Sequence, residues 1–292
     1  MTDPCFKGSR TADLLIRGEM GSTIVESGTL RIALGQYDTG WEQPALSLFR
    51  ARKVVEHAAA DGAHLVALPE MCTTGFTMDA ATWAEPLDGP SASAFAQMAR
   101  DFGIHVLAGM ATREMRDGTE CFHNSALLFA PDGSIAAQYR KQRLFVLDAE
   151  GDTYTPGDGP VVFDINGVSI APLVCFDLRF PELFRAVSTR VDCIVLIASW
   201  PAVRRHHWDI LTQARAIENQ CYFAAVTRIG TGNGIAFNGG SVLWGPWGEQ
   251  VAYAADADAA AGNITCATVE TALVTRTRTA YPFVSDERPA RV

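Results

Sequence analysis

A chain of 292 residues, 48% hydrophobic and 20% charged, has the length and composition of a globular protein with one large domain or two small ones. Its net charge of −9 argues against a general nucleic-acid or anionic-membrane surface. No apolar run approaches the ~20 residues of a membrane-spanning helix.

Residues 1–29 carry Lys7, Arg10 and Arg17, but their apolar runs are too short for a signal-peptide core. They read as a weakly ordered extension, or as a start set too early, with Met20 an alternative start. Ordered sequence is expected from Leu30, and residues 30–292 read as a single domain. Leu30–Tyr37 reads as a strand and Leu46–Asp61 as a helix stopped by Asp61-Gly62. His64–Pro69 is a short apolar strand, Ser91–Phe102 a helix and Ile104–Met110 a strand. Ser125–Phe129 and Ile135–Tyr139 flank the turn Pro131-Asp-Gly133, and Val161–Ile165 and Val168–Val174 flank Asn166-Gly167, a strong hairpin signal. Pro181–Thr189 reads as helical, Cys193–Ala198 as a buried strand, Trp208–Asn219 as an amphipathic helix and Cys221–Thr227 as a strand. A third hairpin spans Ser241–Ala254 around Gly245-Pro-Trp-Gly248. Alternating helices and strands with several hairpins fit an α/β fold. Two mixed sheets packed face to face would make a four-layer α-β-β-α sandwich, though periodicity alone does not separate this from a doubly wound sheet.

The seven cysteines are odd in number, scattered and without C-x-x-C spacing. This argues against a disulfide framework or structural zinc and points to a reduced, cytoplasmic setting. The scattered histidines show no ligand spacing either, so no metal is expected.

Three segments end a strand or hairpin on a reactive side chain. In Leu68-Pro69-Glu70, a carboxylate ends an apolar strand, where poor solvation suits a general base. Taken alone, Glu70 reads more readily as a loop residue capping the Thr73 or Thr74 backbone. In Tyr139-Arg140-Lys141-Gln-Arg143-Leu-Phe145, apolar neighbours set Lys141 apart from an ordinary solvated basic run, and its charge would stabilise an oxyanion. In Val168–Arg185, a β-rich run drives into Cys175 and a helix-like segment follows, an arrangement that presents a nucleophile beside free backbone N–H groups. A lone cysteine is more often a small buried apolar residue. Glu, Lys and Cys together supply base, electrostatic stabiliser and nucleophile.

In type and order these segments resemble the Glu-Lys-Cys signatures of the nitrilase superfamily, the carbon–nitrogen hydrolases. The likeness runs from about Leu30 to the C-terminus. It implies an α-β-β-α sandwich, no metal or organic cofactor, and homodimers or larger assemblies built around helices near the nucleophile. Carried over, Cys175 is the nucleophile, Glu70 the base and Lys141 the stabiliser of the tetrahedral intermediate, with the Phe176 N–H completing the oxyanion hole. Cys175-Phe-Asp-Leu-Arg-Phe-Pro-Glu182, Trp200-Pro-Ala-Val-Arg204-Arg-His-His207-Trp208 and Ala214-Arg-Ala-Ile-Glu-Asn219 are most similar to the bacterial ω-amidase branch. That resemblance implies a small ω-amide substrate such as 2-oxosuccinamate or 2-oxoglutaramate. Other carbon–nitrogen hydrolase activities (deaminated-glutathione amidase, N-carbamoyl amidase, nitrilase) or a non-catalytic scaffold are the alternatives.

Two departures stand out. Relatives commonly carry His where Arg143 sits. The second glutamate that positions the lysine in many members is not evident, since Arg113 falls at its usual place; Glu114 or Glu120 are the candidates, or the role is absent. For the substrate's far carboxylate, Arg204 is the candidate clamp, with pairing to Asp209 or another surface acid as its alternative role, and Arg228 is a weaker candidate. Phe176, Trp200 and Tyr154 are candidate pocket walls. Asp177, Arg179 and Glu182 read as supports of the turn after Cys175, and His207, Arg215, Glu218 and Asn219 as hydrogen-bonding residues of one helix.

Overall fold

Alternation of side chains along β1 (Thr29–Gln36) sets the layering. Ile32 and Leu34 enter one buried cluster and Ala33 another, as a two-residue repeat requires. The computed structural model describes residues 27–254 and 263–284. After β1 come α1 (Pro44–Ala60), β2 (Leu65–Ala67), α2 (Pro90–Phe102), β3 (His105–Arg116), β4 (Thr119–Phe129) and β5 (Ile135–Arg140). The second half runs β6 (Phe163–Ile165), β7 (Val168–Val174), β8 (Cys193–Ala198), α3 (Arg205–Asn219) and β9 (Tyr222–Thr227). It continues through β10 (Ile229–Gly232), β11 (Ile235–Asn238), β12 (Val242–Trp244), β13 (Gln250–Tyr253), β14 (Asn263–Glu270) and α4 (Thr271–Ala280).

Two six-stranded sheets result, ordered β14-β1-β2-β3-β4-β5 and β13-β12-β9-β8-β7-β6, with β10 and β11 as a separate ribbon. Each has a parallel centre, β1-β2-β3 or β7-β8-β9, flanked by antiparallel strands. The inner faces pack together: Ile32, Leu107 and Leu128 share one cluster with Ile170, Leu196 and Val226. On the outer face of the first sheet, Val66, Val106 and Phe129 meet Val54 and Val55 of α1 and Phe95 of α2. Trp208 and Ala216 of α3 cover the second sheet. The fold is the expected α-β-β-α sandwich. Ligands of parallel sheets gather at the carboxyl ends of the strands, and here Glu70 follows β2, Cys175 follows β7 and Trp200 follows β8.

Three expectations need correction. β1 begins at Thr29, and Thr271 N–H donates to Gly28 O at 3.1 Å, so residues 28 and 29 belong to the fold and not to an extension. Residues 1–26 of that extension lie outside the described residues. β3 and β4 run past their expected ends to a two-residue turn at Asp117-Gly118, where both φ angles are positive (50° and 78°), the pattern of a type I′ hairpin. The helix at Pro181 stops at Arg185, and a separate 3-10 turn forms over Ser188–Arg190, where Ser188 Oγ donates to Arg185 O at 2.9 Å.

Candidate active site

Glu70 leaves β2 fully buried. Its Oε1 accepts from Lys141 Nζ at 3.0 Å and Asn124 Nδ2 at 2.7 Å, and its Oε2 from Ser199 N–H at 2.9 Å. Lys141 directly follows β5, and its N–H donates to Asn124 O at 2.8 Å, which extends the pairing of β4 with β5. Its Nζ also donates to both oxygens of Glu150 at 2.9 Å. Glu150 opens a short helix, Glu150–Thr153, and receives the Phe145 N–H as well. Burial would push Lys141 down, but Glu70 and Glu150 outweigh it and hold the ammonium above the usual lysine range.

Cys175 sits where β7 becomes a 3-10 turn, Cys175–Arg179, with φ of +46°. A non-glycine residue in that region costs on the order of 1–3 kcal/mol and persists only where its surroundings fix it. Asp177 does the fixing. Its buried carboxylate accepts from Val174 N–H at 3.0 Å, Tyr139 Oη at 2.7 Å and Arg143 N–H at 2.9 Å. Arg215 adds two bonds to Leu178 O, at 3.2 and 2.7 Å. The Cys175 turn and the Lys141 segment are thus tied through one carboxylate. Burial, then the charge and hydrogen bond of Glu70, push the Cys175 thiol well above its ordinary value, with Lys141 opposing. The thiol therefore needs a base to lose its proton at neutral pH.

Glu70, Lys141 and Cys175 together line a cavity of about 60 Å³. Phe176, Trp200 and Arg204 line it, together with Arg179 and Trp41. Phe145 and Phe176 meet edge to face at 5.2 Å, and the Arg204 guanidinium stacks 5.2 Å over Phe145. Arg179 stacks 5.2 Å over Trp200 and bonds His207 Nδ1 at 3.1 Å. Neither arginine has a carboxylate partner among the described residues. Asp209, the alternative partner of Arg204, pairs with Arg205 at 2.7 Å.

Several sequence expectations fail here. Neither Glu114 nor Glu120 reaches the lysine. The long β3-β4 hairpin carries both away, so Glu114 bonds His123 and Arg140 and Glu120 pairs with Arg113. The second glutamate is Glu150. Tyr154 is no pocket wall; it is buried behind the site, donating to Thr77 O at 2.9 Å. Arg228 is no clamp; it is fully buried outside the cavity, pairing with Asp38 at 2.9 Å. Arg179, expected as a turn support, also lines the cavity, and Asn124 and Ser199, for which the sequence carries no signal, bond Glu70. Arg143 lies outside the cavity lining, over the Phe180 ring and paired with Glu182 at 3.1 Å.

Among the described residues no group of three or more His, Cys, Asp or Glu side chains is placed to hold a metal ion. No described helix is long and apolar enough to cross a membrane.

The carbon–nitrogen hydrolase family model matches residues 31–279. The chain belongs to this family. The hydrolase is 33% identical over 220 residues to the 2-oxoglutaramate amidase of Bacillus subtilis, covering 74% of this chain and 83% of the relative. It is 35% identical over 228 residues to the omega-amidase YafV of Escherichia coli K12, covering 77% and 85%. Among solved structures, a CN-hydrolase superfamily protein from Xanthomonas campestris with an arsenic adduct in its active site matches with a TM-score of 0.82 at 29% identity, covering 90% of this chain and 99% of that one. An amidase from Nesterenkonia sp. AN1, bearing acrylamide added to its active site cysteine, matches with a TM-score of 0.75 at 25% identity, covering 89% and 96%.

Proposed function

We propose that this carbon–nitrogen hydrolase cleaves the terminal amide of small ω-amido acids, such as 2-oxoglutaramate or 2-oxosuccinamate, to a carboxylate and ammonia. The observation that carries the reading is the convergence of Glu70, Lys141 and Cys175 on one small cavity. Its similarity to the 2-oxoglutaramate amidase and to omega-amidase YafV supports the substrate class, and the cysteine adduct of the Nesterenkonia amidase supports the nucleophile.

In the first half-reaction Glu70 takes the thiol proton while Cys175 Sγ bonds to the amide carbon. Lys141 and the Phe176 N–H, at the open start of the 3-10 turn, hold the oxyanion. The C–N bond breaks, Glu70 returns the proton to nitrogen, ammonia leaves and a thioester remains. Water then attacks the thioester and gives a proton to Glu70; the C–S bond breaks and the thiol recovers its proton. Arg204 and Arg179, stacked and without carboxylate partners, clamp the distal carboxylate. Phe176 and Trp200 enclose the chain between.

The test is ammonia release across ω-amido-oxo acids, neutral amides, carbamoyl compounds and nitriles, for wild type and Arg204→Leu. The substitution should raise KM for ω-amido-oxo acids ~10–100-fold, as loss of a charge-assisted bond does, and leave neutral amides unchanged. Equal KM in both enzymes removes the clamp; preference for nitriles or carbamoyl compounds removes the substrate class.

The chain from Gly28 onward acts as one domain in this reading, and the setting is the reduced cytoplasm. A second copy of the chain is proposed to cover the apolar face of exposed Ile210 and Ile217 on α3 with Trp247 and Phe283. This face is continuous, since Tyr281 stacks 4.8 Å from Trp247 and 5.9 Å from Phe283. Sedimentation of a Trp247→Asp, Ile217→Asp variant should give monomer where the wild type gives dimer; a wild-type monomer sinks the idea.

A further inference from the structure

Asn124 lies on β4 beside Lys141 and is buried. Its single Nδ2 donates to Glu70 Oε1 at 2.7 Å and to Glu150 Oε1 at 2.8 Å. The same two oxygens accept from Lys141 Nζ, at 3.0 and 2.9 Å. Two nitrogens and two oxygens thus close a ring in which donors and acceptors alternate. Asn124 Oδ1 is buried with no hydrogen-bond partner. The amide leaves its own carbonyl unsatisfied and spends both hydrogens on the carboxylates.

The charge balance explains why. Glu70, Glu150 and Lys141 are all buried, and two carboxylates face one ammonium. Unrelieved, the two like charges repel each other across the shared ammonium. A second lysine would balance the charge but add another buried ion, whereas a primary amide supplies two positive hydrogen ends and no formal charge. The ring also fixes orientation. With Nζ and Nδ2 both on Oε1 of Glu70 and the Ser199 N–H on Oε2, rotation of the carboxylate would break all three bonds.

We propose that Asn124 is a positioning residue that bridges Glu70 and Glu150 and fixes the orientation of the Glu70 carboxylate. This rests on the reading of Glu70 as the base. Losing Asn124 leaves the two carboxylates facing each other across one ammonium, so Glu70 loses its fixed rotamer.

The experiment is kcat and KM for Asn124→Ala and Asn124→Ser, each first shown to be folded by thermal melting. The alanine variant should lose about 100-fold in kcat, the range associated with a mispositioned base, with KM within about threefold. Serine, with one donor, should fall between, and keeps the test open if the alanine variant does not fold. A folded variant with kcat within about threefold of wild type, or one whose loss falls on KM instead, overturns the proposal. Glu70→Gln and Cys175→Ala run beside it: turnover in either defeats the underlying reading, whereas two dead controls with an undiminished Asn124→Ser kcat defeat this inference alone.

Discussion

Replacing Gly109 with alanine adds one methyl group to the inner end of β3, in direct line with the base. Its carbon would lie 2.4 Å from Pro69 O, 2.6 Å from Glu70 Cα and 2.8 Å from Met71 N. All three are backbone atoms, and they are held by the bonds Gly109 N–H to Pro69 O at 3.2 Å and Cys72 N–H to Gly109 O at 2.8 Å. Gly109 is absent from the residues with positive φ, so alanine suits its backbone and the effect is steric alone. Carbon contacts settle near 3.5–4.0 Å, so relief requires the Pro69–Met71 segment to retreat by about 1 Å. Overpacking of that size costs roughly 1–3 kcal/mol of stability, and a catalytic group displaced by about 1 Å loses on the order of 100-fold in rate. The arginines that face the distal end of the cavity follow strands of the other sheet, so KM should change little. The assay is steady-state ammonia release from 2-oxoglutaramate beside a urea titration. A folded Gly109→Ala enzyme with kcat within about threefold of wild type would refute the claim that Pro69–Glu70 is held by direct backbone contact.

Glu150→Ala removes one of two carboxylates from Lys141 and the acceptor of Phe145 N–H. Stability should fall by about 3 kcal/mol, the low end for breaking a buried ion pair because Glu70 remains, and kcat by about 100-fold; an unaltered kcat counts against a role for Glu150 in holding the lysine. Burial raises Asp177 to about 6, against ~3.9 for the unfolded side chain. The folded protein therefore keeps this proton between about pH 4 and 6 while the unfolded chain has lost it. The contribution is most favourable below about pH 4 and declines by about 3 kcal/mol as pH rises through 6. Asp177→Asn should flatten that part of the urea-stability profile; an identical slope in both proteins contradicts it. Because burial and Glu70 hold the thiol protonated, alkylation of Cys175 by iodoacetamide should still be accelerating above pH 9. A plateau near neutral pH would mean a preformed thiolate.

Much of the fold was legible because its signals are local. The apolar runs before Glu70 and Cys175 end where the strands end, and Asn166-Gly167 forms its hairpin with φ of 55° and 75°. The Asp117-Gly118 turn carries the same chemistry but sits in a polar stretch, Arg113–Glu120, that masked the alternation of its strands. The hairpin carries Glu114 and Glu120, the candidates for the second glutamate, away from Lys141. Glu150 itself gave no periodic signal: it opens a four-residue helix after an irregular loop and meets Lys141 only through the fold. Asn124 was invisible for a related reason, since one amide bridging two acids has no spacing to read. Arg204 and Arg228 each follow the end of a buried strand in the sequence. Only Asp38, 190 positions away, reveals that Arg228 is a structural ion pair.

The central claim is that Cys175 carries the acyl group. Rapid-quench intact-mass spectrometry of the enzyme with 2-oxoglutaramate, followed by peptide mapping, tests it most directly. The account requires a transient adduct equal to substrate minus ammonia on the Cys175 peptide, absent from Cys175→Ala, which should be folded and inactive. Turnover by Cys175→Ala, or an adduct on any other residue, would contradict it.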